Sequence, residues 1–183
     1  LLVEDGRLRF VESDGTVVWT LSSAGSMVFF GDLRGDGRDY AVFTSGPHLT
    51  VMDIGEGEVF WQHTFEPAHT VIKVDVADAL PERPGLEMAV FQQYGEAGYL
   101  LSFPPEGSPV ALWGRATTTR ADGWPDRADH GCHVHFDLSD PENPVIWNMR
   151  HHRVRGFDVS TGRMISELFY ELGNELGYGY KRN

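Results

Sequence analysis

Three segments of this chain repeat the same order of events, and that repetition limits the fold more than any single residue does. Each segment opens with an apolar strand ending in an aspartate: Met27-Val-Phe-Phe-Gly-Asp32, Thr70-Val-Ile-Lys-Val-Asp75 and Cys132-His-Val-His-Phe-Asp137. A loop of turn-forming residues follows: Arg34-Gly-Asp-Gly-Arg-Asp39, Asp78-Ala-Leu-Pro-Glu-Arg-Pro-Gly85 and Ser139-Asp-Pro-Glu-Asn-Pro144. Glycine, proline and aspartate each favour such turns for a separate steric or hydrogen-bonding reason. A second apolar run comes next: Tyr40-Ala-Val-Phe43, Leu86-Glu-Met-Ala-Val-Phe91 and Val145-Ile-Trp-Asn-Met149. The third strands are His48-Leu-Thr-Val-Met52, Gly98-Tyr-Leu-Leu-Ser-Phe103 and Arg153-Val-Arg-Gly-Phe157. The fourth are Glu58-Val-Phe-Trp61, Val110-Ala-Leu-Trp113 and Arg163-Met-Ile-Ser166. Asp158-Val-Ser-Thr-Gly162 between the last two runs is a hairpin signal.

Successive repeat aspartates lie 43 and 62 residues apart, and four strands in about 45 residues is the size of one β-propeller blade. The longer interval holds a polar insertion over 115–129. The reading is therefore all-β: one propeller region of four-stranded antiparallel blades, with units at about 23–66, 67–115 and 128–172. Residues 1–22 read as the last two strands of a further blade, with a turn at Glu12-Ser-Asp-Gly15 and a closing Trp19. Residues 173–183 read as the approach to another first strand. Two closures fit: a four-bladed ring joined through its two ends, or a piece of a larger propeller. A ring hides its sheet edges. The last unit lacks a second strand, which favours the piece, with other segments of a larger chain as partners.

Composition narrows the partners. A net charge of −12 disfavours nucleic acid and anionic membranes, whose phosphates need basic patches. Hydrophobic content of 41% and aromatic content of 12% suit a folded core. No apolar run approaches the roughly 20 residues of a membrane helix. The single Cys132 excludes an internal disulfide framework. The chain opens on Leu1-Leu-Val without methionine, as a mature form or an excerpt would, so a missing leader does not argue for the cytosol.

Gly31-Asp-Leu-Arg-Gly-Asp-Gly-Arg-Asp-Tyr-Ala-Val-Phe43 is an acidic loop running into a buried-strand signal. Alternating aspartates with glycines between them can wrap several oxygens around one hard cation. The unit resembles the FG-GAP type of propeller repeat. That resemblance implies acidic ligands at the first, third, fifth and ninth loop positions, which here are Asp32, Arg34, Asp36 and Tyr40, with Asp39 one place early. Two readings stand: weak Ca²⁺ binding, or Arg34 neutralising the aspartates. Asp75, Asp78, Glu82 and Glu87 form a second calcium-type set, and Asp137, Asp140 and Glu142 a third. Ordinary turn chemistry is the alternative for both.

First strands line a propeller's channel, so residues just before the repeat aspartates gather at one mouth. His69, His130 and His133 fall at such places, and His135 shares a strand face with His133. His130-Gly-Cys-His-Val-His135 reads as metal ligands, as hydrogen-bonded channel residues, or as a catalytic or substrate-binding group. Arg150-His-His-Arg153, with His151, is either a solvated hairpin or a clamp for a carboxylate or sulfate. Trp19, Trp61 and Trp113 recur at blade ends and read as inter-blade packing.

The phrase Asp78-Ala-Leu-Pro-Glu-Arg-Pro-Gly-Leu-Glu87, preceded by His69 and Asp75, resembles the blade signature of propeller-type rhamnogalacturonan lyases, and His130-Gly131 with His135 and Asp137 is a looser copy. The resemblance implies a secreted lyase that cleaves an acidic polysaccharide by calcium-supported β-elimination. It implies His69, His130 or His133 as the base and Arg150 or Arg120 as the anion partner. Lys73 and Tyr94 are further catalytic candidates, with His135, His151 and Arg153 as substrate contacts. The alternative is a non-catalytic extracellular propeller for binding or assembly.

Overall fold

The computed structural model describes residues 2–4, 7–22, 25–66, 71–92, 97–116, 133–150 and 153–169. Every regular element among them is a β-strand. The first sheet holds β1 (Leu2–Glu4), β2 (Arg7–Val11) and β3 (Val17–Ser22). The second holds β4 (Ser26–Gly31), β5 (Tyr40–Ser45), β6 (His48–Asp53) and β7 (Glu58–Thr64). The third holds β8 (Ile72–Ala77), β9 (Glu87–Gln92), β10 (Ala97–Ser102) and β11 (Val110–Ala116). The fourth holds β12 (His133–Asp137), β13 (Val145–Arg150), β14 (Arg153–Asp158) and β15 (Met164–Phe169). Each sheet is an antiparallel meander, because the short turns between runs leave no room for a crossover. The first sheet has three strands where two were expected, since Leu2–Glu4 pairs with β2.

The middle strands explain the stacking. Tyr40, Ala41, Val42 and Phe43 are all buried, so water reaches neither side of β5. Tyr40 and Val42 pack forward onto Met88, Val90, Leu101 and Phe103 of the third sheet. Ala41 and Phe43 pack backward with Met52 and Ile54 against Phe10 and Trp19 of the first. In β9, Ala89 and Phe91 join Phe136, Ile146 and Phe157 of the fourth sheet. The core is thus a series of apolar layers between sheets stacked face to face. The first strands β4, β8 and β12 lie side by side along one edge of the stack.

Register corrects two expected equivalences. At the loop ends, Gly31 pairs with Tyr40, Ala77 with Glu87 and Asp137 with Val145. The counterpart of Asp32 is therefore Asp78 in the third sheet and Leu138 in the fourth, where Asp137 takes the place of Gly31. Asp75 lies inside β8, opposite Ala89. The apolar run continues past it through Val76 and Ala77, which hides the strand's true end. The Asp158–Gly162 hairpin forms as expected: Gly162 takes φ 65° and donates to the Asp158 carbonyl at 2.8 Å.

Candidate functional site

The acidic loop after β4 is built around its own cations. Asp32 accepts the backbone N–H groups of Asp36 at 3.1 Å and Gly37 at 2.9 Å. Asp36 accepts the Tyr40 hydroxyl at 2.9 Å and the Arg38 guanidinium at 3.2 Å. Burial works against the Asp36 charge, but these donors outweigh it and hold the carboxyl below its usual range. Arg38 also reaches the buried Asp53 at 2.8 Å. Arg34 is buried and reaches two ways: its Nη1 lies 3.9 Å from a carboxylate oxygen of Asp36 in the loop, as expected of a cation that neutralises the aspartates. It also donates to the carbonyls of Pro104, Pro105 and Gly107 in the loop between β10 and β11 and stacks over Phe60, 4.2 Å from the ring centroid. Arg34 is an inter-blade tie.

The other two loops use their carboxylates in the same way. Glu87 accepts the N–H groups of Ala79 at 3.2 Å and Leu80 at 3.0 Å through one oxygen, and its other oxygen is buried without a partner. Burial pushes the Glu87 carboxyl up. Asp137 accepts Ser139 N–H and the Trp147 indole, each at 3.1 Å, and the Ser139 side chain, followed by these two donors, holds it down at about 2. Asp140 caps the turn by accepting from Glu142 and Asn143. Asp39 and Asp78 are exposed.

Most of the acidic oxygens proposed as calcium ligands already face N–H, O–H or guanidinium donors, whereas Asp39 and Asp78 are exposed. Among the described residues, no three His, Cys, Asp or Glu side chains are placed to hold a metal.

The adjoining first strands carry a different pair. Asp75, from β8, accepts the Phe136 N–H of β12 at 2.8 Å, and the same oxygen lies 3.3 Å from Nδ1 of His135. The His135 side chain is 67% exposed, so its far ring edge meets solvent. Lys73 shares the strand face of Asp75, and the exposed His133 shares that of His135. Each of these four residues stood out in the sequence, but in separate roles; only the adjacency of β8 and β12 brings Asp75 to His135. His69, Tyr94, Arg120, His130 and His151 lie outside the described residues. Arg150 and Arg153 face each other in backbone register across the β13–β14 hairpin, and their side chains lie outside that description.

No family model matches the chain, and no curated protein matches its sequence. Solved structures do match. BBS1N in complex with ARL6DN superposes with a TM-score of 0.55 at 13% identity, over 92% of this chain and 51% of that one. The Cps50 (Swd1) β-propeller domain from Myceliophteria thermophila gives 0.51 at 10% identity, over 80% of this chain and 42% of that one. The chain is an arc of a β-propeller. It spans about half the length of the structures it matches. Rhamnogalacturonan lyase YesW gives 0.48 at 12% identity, over 90% of this chain and 44% of that one. In this propeller arc, the Asp75–His135 pair sits on the inner strands, where blades converge.

Proposed function

We propose that the propeller arc belongs to a secreted protein that binds uronate-containing polysaccharide at its inner strands and cleaves it by β-elimination, with His135 as the base. One observation carries this reading: a carboxylate oxygen of Asp75 lies 3.3 Å from Nδ1 of an imidazole whose far edge is exposed. A carboxylate on Nδ1 fixes the tautomer and ring direction and leaves Nε2 free to accept a proton. Nε2 takes the proton from the carbon beside the uronate carboxylate. The C–H electron pair becomes the ring double bond, and the bond to the 4-linked sugar oxygen breaks; that oxygen takes a proton from solvent water as it leaves, and the imidazolium later returns its own proton to solvent. Lys73, two residues from Asp75, is the cation available for the carboxylate. The sequence resemblance placed His135 among the substrate contacts, and its partner argues for the proton-transfer role.

A second reading is a propeller that binds without cleaving. The matched BBS1N structure is of a complex with another protein, which favours it. The experiment is ultraviolet absorbance of unsaturated uronate on mixing the protein with rhamnogalacturonan, beside gel-retardation on the same polymer. A rise that His135→Ala abolishes supports the lyase. Retardation without any rise selects the binding reading, and neither signal sinks both.

A further inference from the structure

Trp19, Trp61 and Trp113 hold equivalent places on outer strands, yet Trp61 is not used as the other two are. Trp19 pairs with Phe10, Trp61 with Val51 and Trp113 with Leu100, each beside a strand irregularity. The indole N–H of Trp19 donates to the Ile54 carbonyl at 2.9 Å and that of Trp113 to the Val159 carbonyl at 2.7 Å, each in the next blade. Register makes the Phe103 carbonyl the matching acceptor for Trp61, because Ser102 pairs with Glu87 as Asp53 pairs with Tyr40. Trp61 makes no such bond, and its N–H has no partner among the described residues. Gly85 crowds that acceptor instead: a Cβ there would collide with the Phe103 carbonyl oxygen. Arg34 ties this junction through Pro104, Pro105 and Gly107, which leaves the tryptophan free of the task.

The released ring belongs to an open aromatic surface where the second and third blades meet at the rim. Trp61 is half-buried and lies parallel to the exposed His63, at 6° with ring centroids 5.8 Å apart. On the third blade Tyr99 lies over Gly114, which is exposed; a Cβ there would stand 2.8 Å from the tyrosine ring. Phe65 joins the two blades, its centroid 4.5 Å from that of His63 and 5.2 Å from that of Tyr99. Gly107, in the loop that follows Phe103, has open space where a Cβ would stand, so no ring covers it as Trp19 and Trp113 cover Gly57 and Gly162. Both blades of this junction are described, so the surface is not open for want of a neighbour.

We infer that Trp61 and His63 form a sugar-binding subsite on the rim, separate from the inner strands, that takes a neutral pyranose unit of a polysaccharide chain. Two parallel rings present electron-rich faces to the C–H groups on one side of a sugar ring. The indole N–H at the ring edge is a donor without a partner, placed for a sugar hydroxyl. None of the residues named on this surface is a lysine or an arginine, so an anionic sugar finds no fixed cation there. A polymer held at the rim as well as at the inner strands is held at two points, which raises its retention without any new contact in the channel. The choice of polymer rests on the function proposed above; stacking on the rim does not depend on cleavage.

The test is affinity gel electrophoresis in rhamnogalacturonan with the His135→Ala protein, whose lost base would leave the polymer intact. On that background Trp61→Ala should weaken retention roughly 10-fold, the scale of one aromatic contact. Trp61→Phe keeps a ring face and loses the N–H, so it should fall between. His63→Ala should weaken retention with an unchanged circular dichroism spectrum, because the side chain is exposed and its loss leaves the core closed. Retention that none of these variants changes overturns the subsite and leaves the lyase reading to its own signal, the absorbance of unsaturated uronate made by the wild-type protein. Retention that depends on Trp61 and His63 without that absorbance supports the subsite and sinks the lyase reading. No retention of the polymer by the wild-type protein overturns the subsite.

Discussion

The indole N–H of Trp113 donates to the carbonyl oxygen of Val159 at 2.7 Å, and the same bond runs from Trp19 to Ile54 at 2.9 Å. In both cases the tryptophan stands on the outer strand of one blade and the carbonyl follows the third strand of the next. A glycine lies under each ring. A Cβ on Gly162 would stand 2.5 Å from Trp113, and one on Gly57 2.5 Å from Trp19. Both glycines also hold positive φ, at 65° and 69°. The latch thus needs a flat donor, a free carbonyl and a residue without a side chain.

Gly162→Ala should therefore destabilise the arc by about 1–3 kcal/mol through steric crowding against a packed ring, read as the midpoint of urea unfolding. Trp113→Phe should cost about as much, because it leaves a buried carbonyl without its donor. The double variant should cost less than the sum, since the two residues share one contact. Full additivity would mean that ring and glycine do not form one unit.

Much of this architecture was legible in the sequence because blade faces leave a strong signal. A strand covered on both sides, such as Tyr40-Ala-Val-Phe43, is apolar at every position, and the tryptophans recur at the ends that must reach the next blade. What the sequence hid was which partner each polar residue takes. Asp75 reads as the end of a strand, yet it pairs opposite Ala89 and turns its carboxylate to the neighbouring blade. Arg34 reads as a cation among the aspartates and does lie beside Asp36, yet its hydrogen bonds go to carbonyls about 70 residues away. Such pairings depend on the stacking of blades, which no local pattern encodes.

Arg34→Lys tests that tie. Lysine keeps the charge but loses the fork that reaches three carbonyls and the plane that stacks on Phe60. A bond to a charged donor is worth about 1.5–3 kcal/mol, so on the order of 3 kcal/mol should be lost. Phe60→Leu should cost less, since the hydrogen bonds remain. A lysine variant with an unchanged unfolding midpoint would show that charge alone suffices.

Glu87 and Asp137 should give the protein opposite responses to acid. Burial raises the Glu87 carboxyl above 4.5, so its contribution is fully present below that pH and is lost as pH rises through the raised folded-state value. Asp137 is held at about 2, so its contribution is present above 3.8 and fades as pH falls toward 2. Glu87→Gln keeps an oxygen for the Ala79 and Leu80 N–H groups and removes the charge. Its melting temperature should exceed wild type at pH 8 and approach it near pH 4, with about 2–4 °C for each kcal/mol. Asp137→Asn should melt lower than wild type at pH 7 and converge with it near pH 2. Parallel curves for either variant would detach the titration from the named residue.

Asp75 has two tasks that substitution can separate. Its carboxylate accepts the Phe136 N–H, which ties β8 to β12, and it pairs with His135. Asparagine can still accept the N–H bond, so Asp75→Asn should unfold within about 0.5 kcal/mol of wild type. Alanine cannot, and Asp75→Ala should cost about 1–3 kcal/mol for the unpaired donor. The elimination proposed above on a uronate polymer rests on the other task. Without the charge that holds the imidazole, kcat should fall about 10²- to 10⁴-fold in both variants, the range of a misplaced general base. Equal stability loss in the two variants would make the pair purely architectural. Full turnover in a stable Asp75→Asn protein would remove Asp75 from the chemistry and leave His135 acting without an orienting partner.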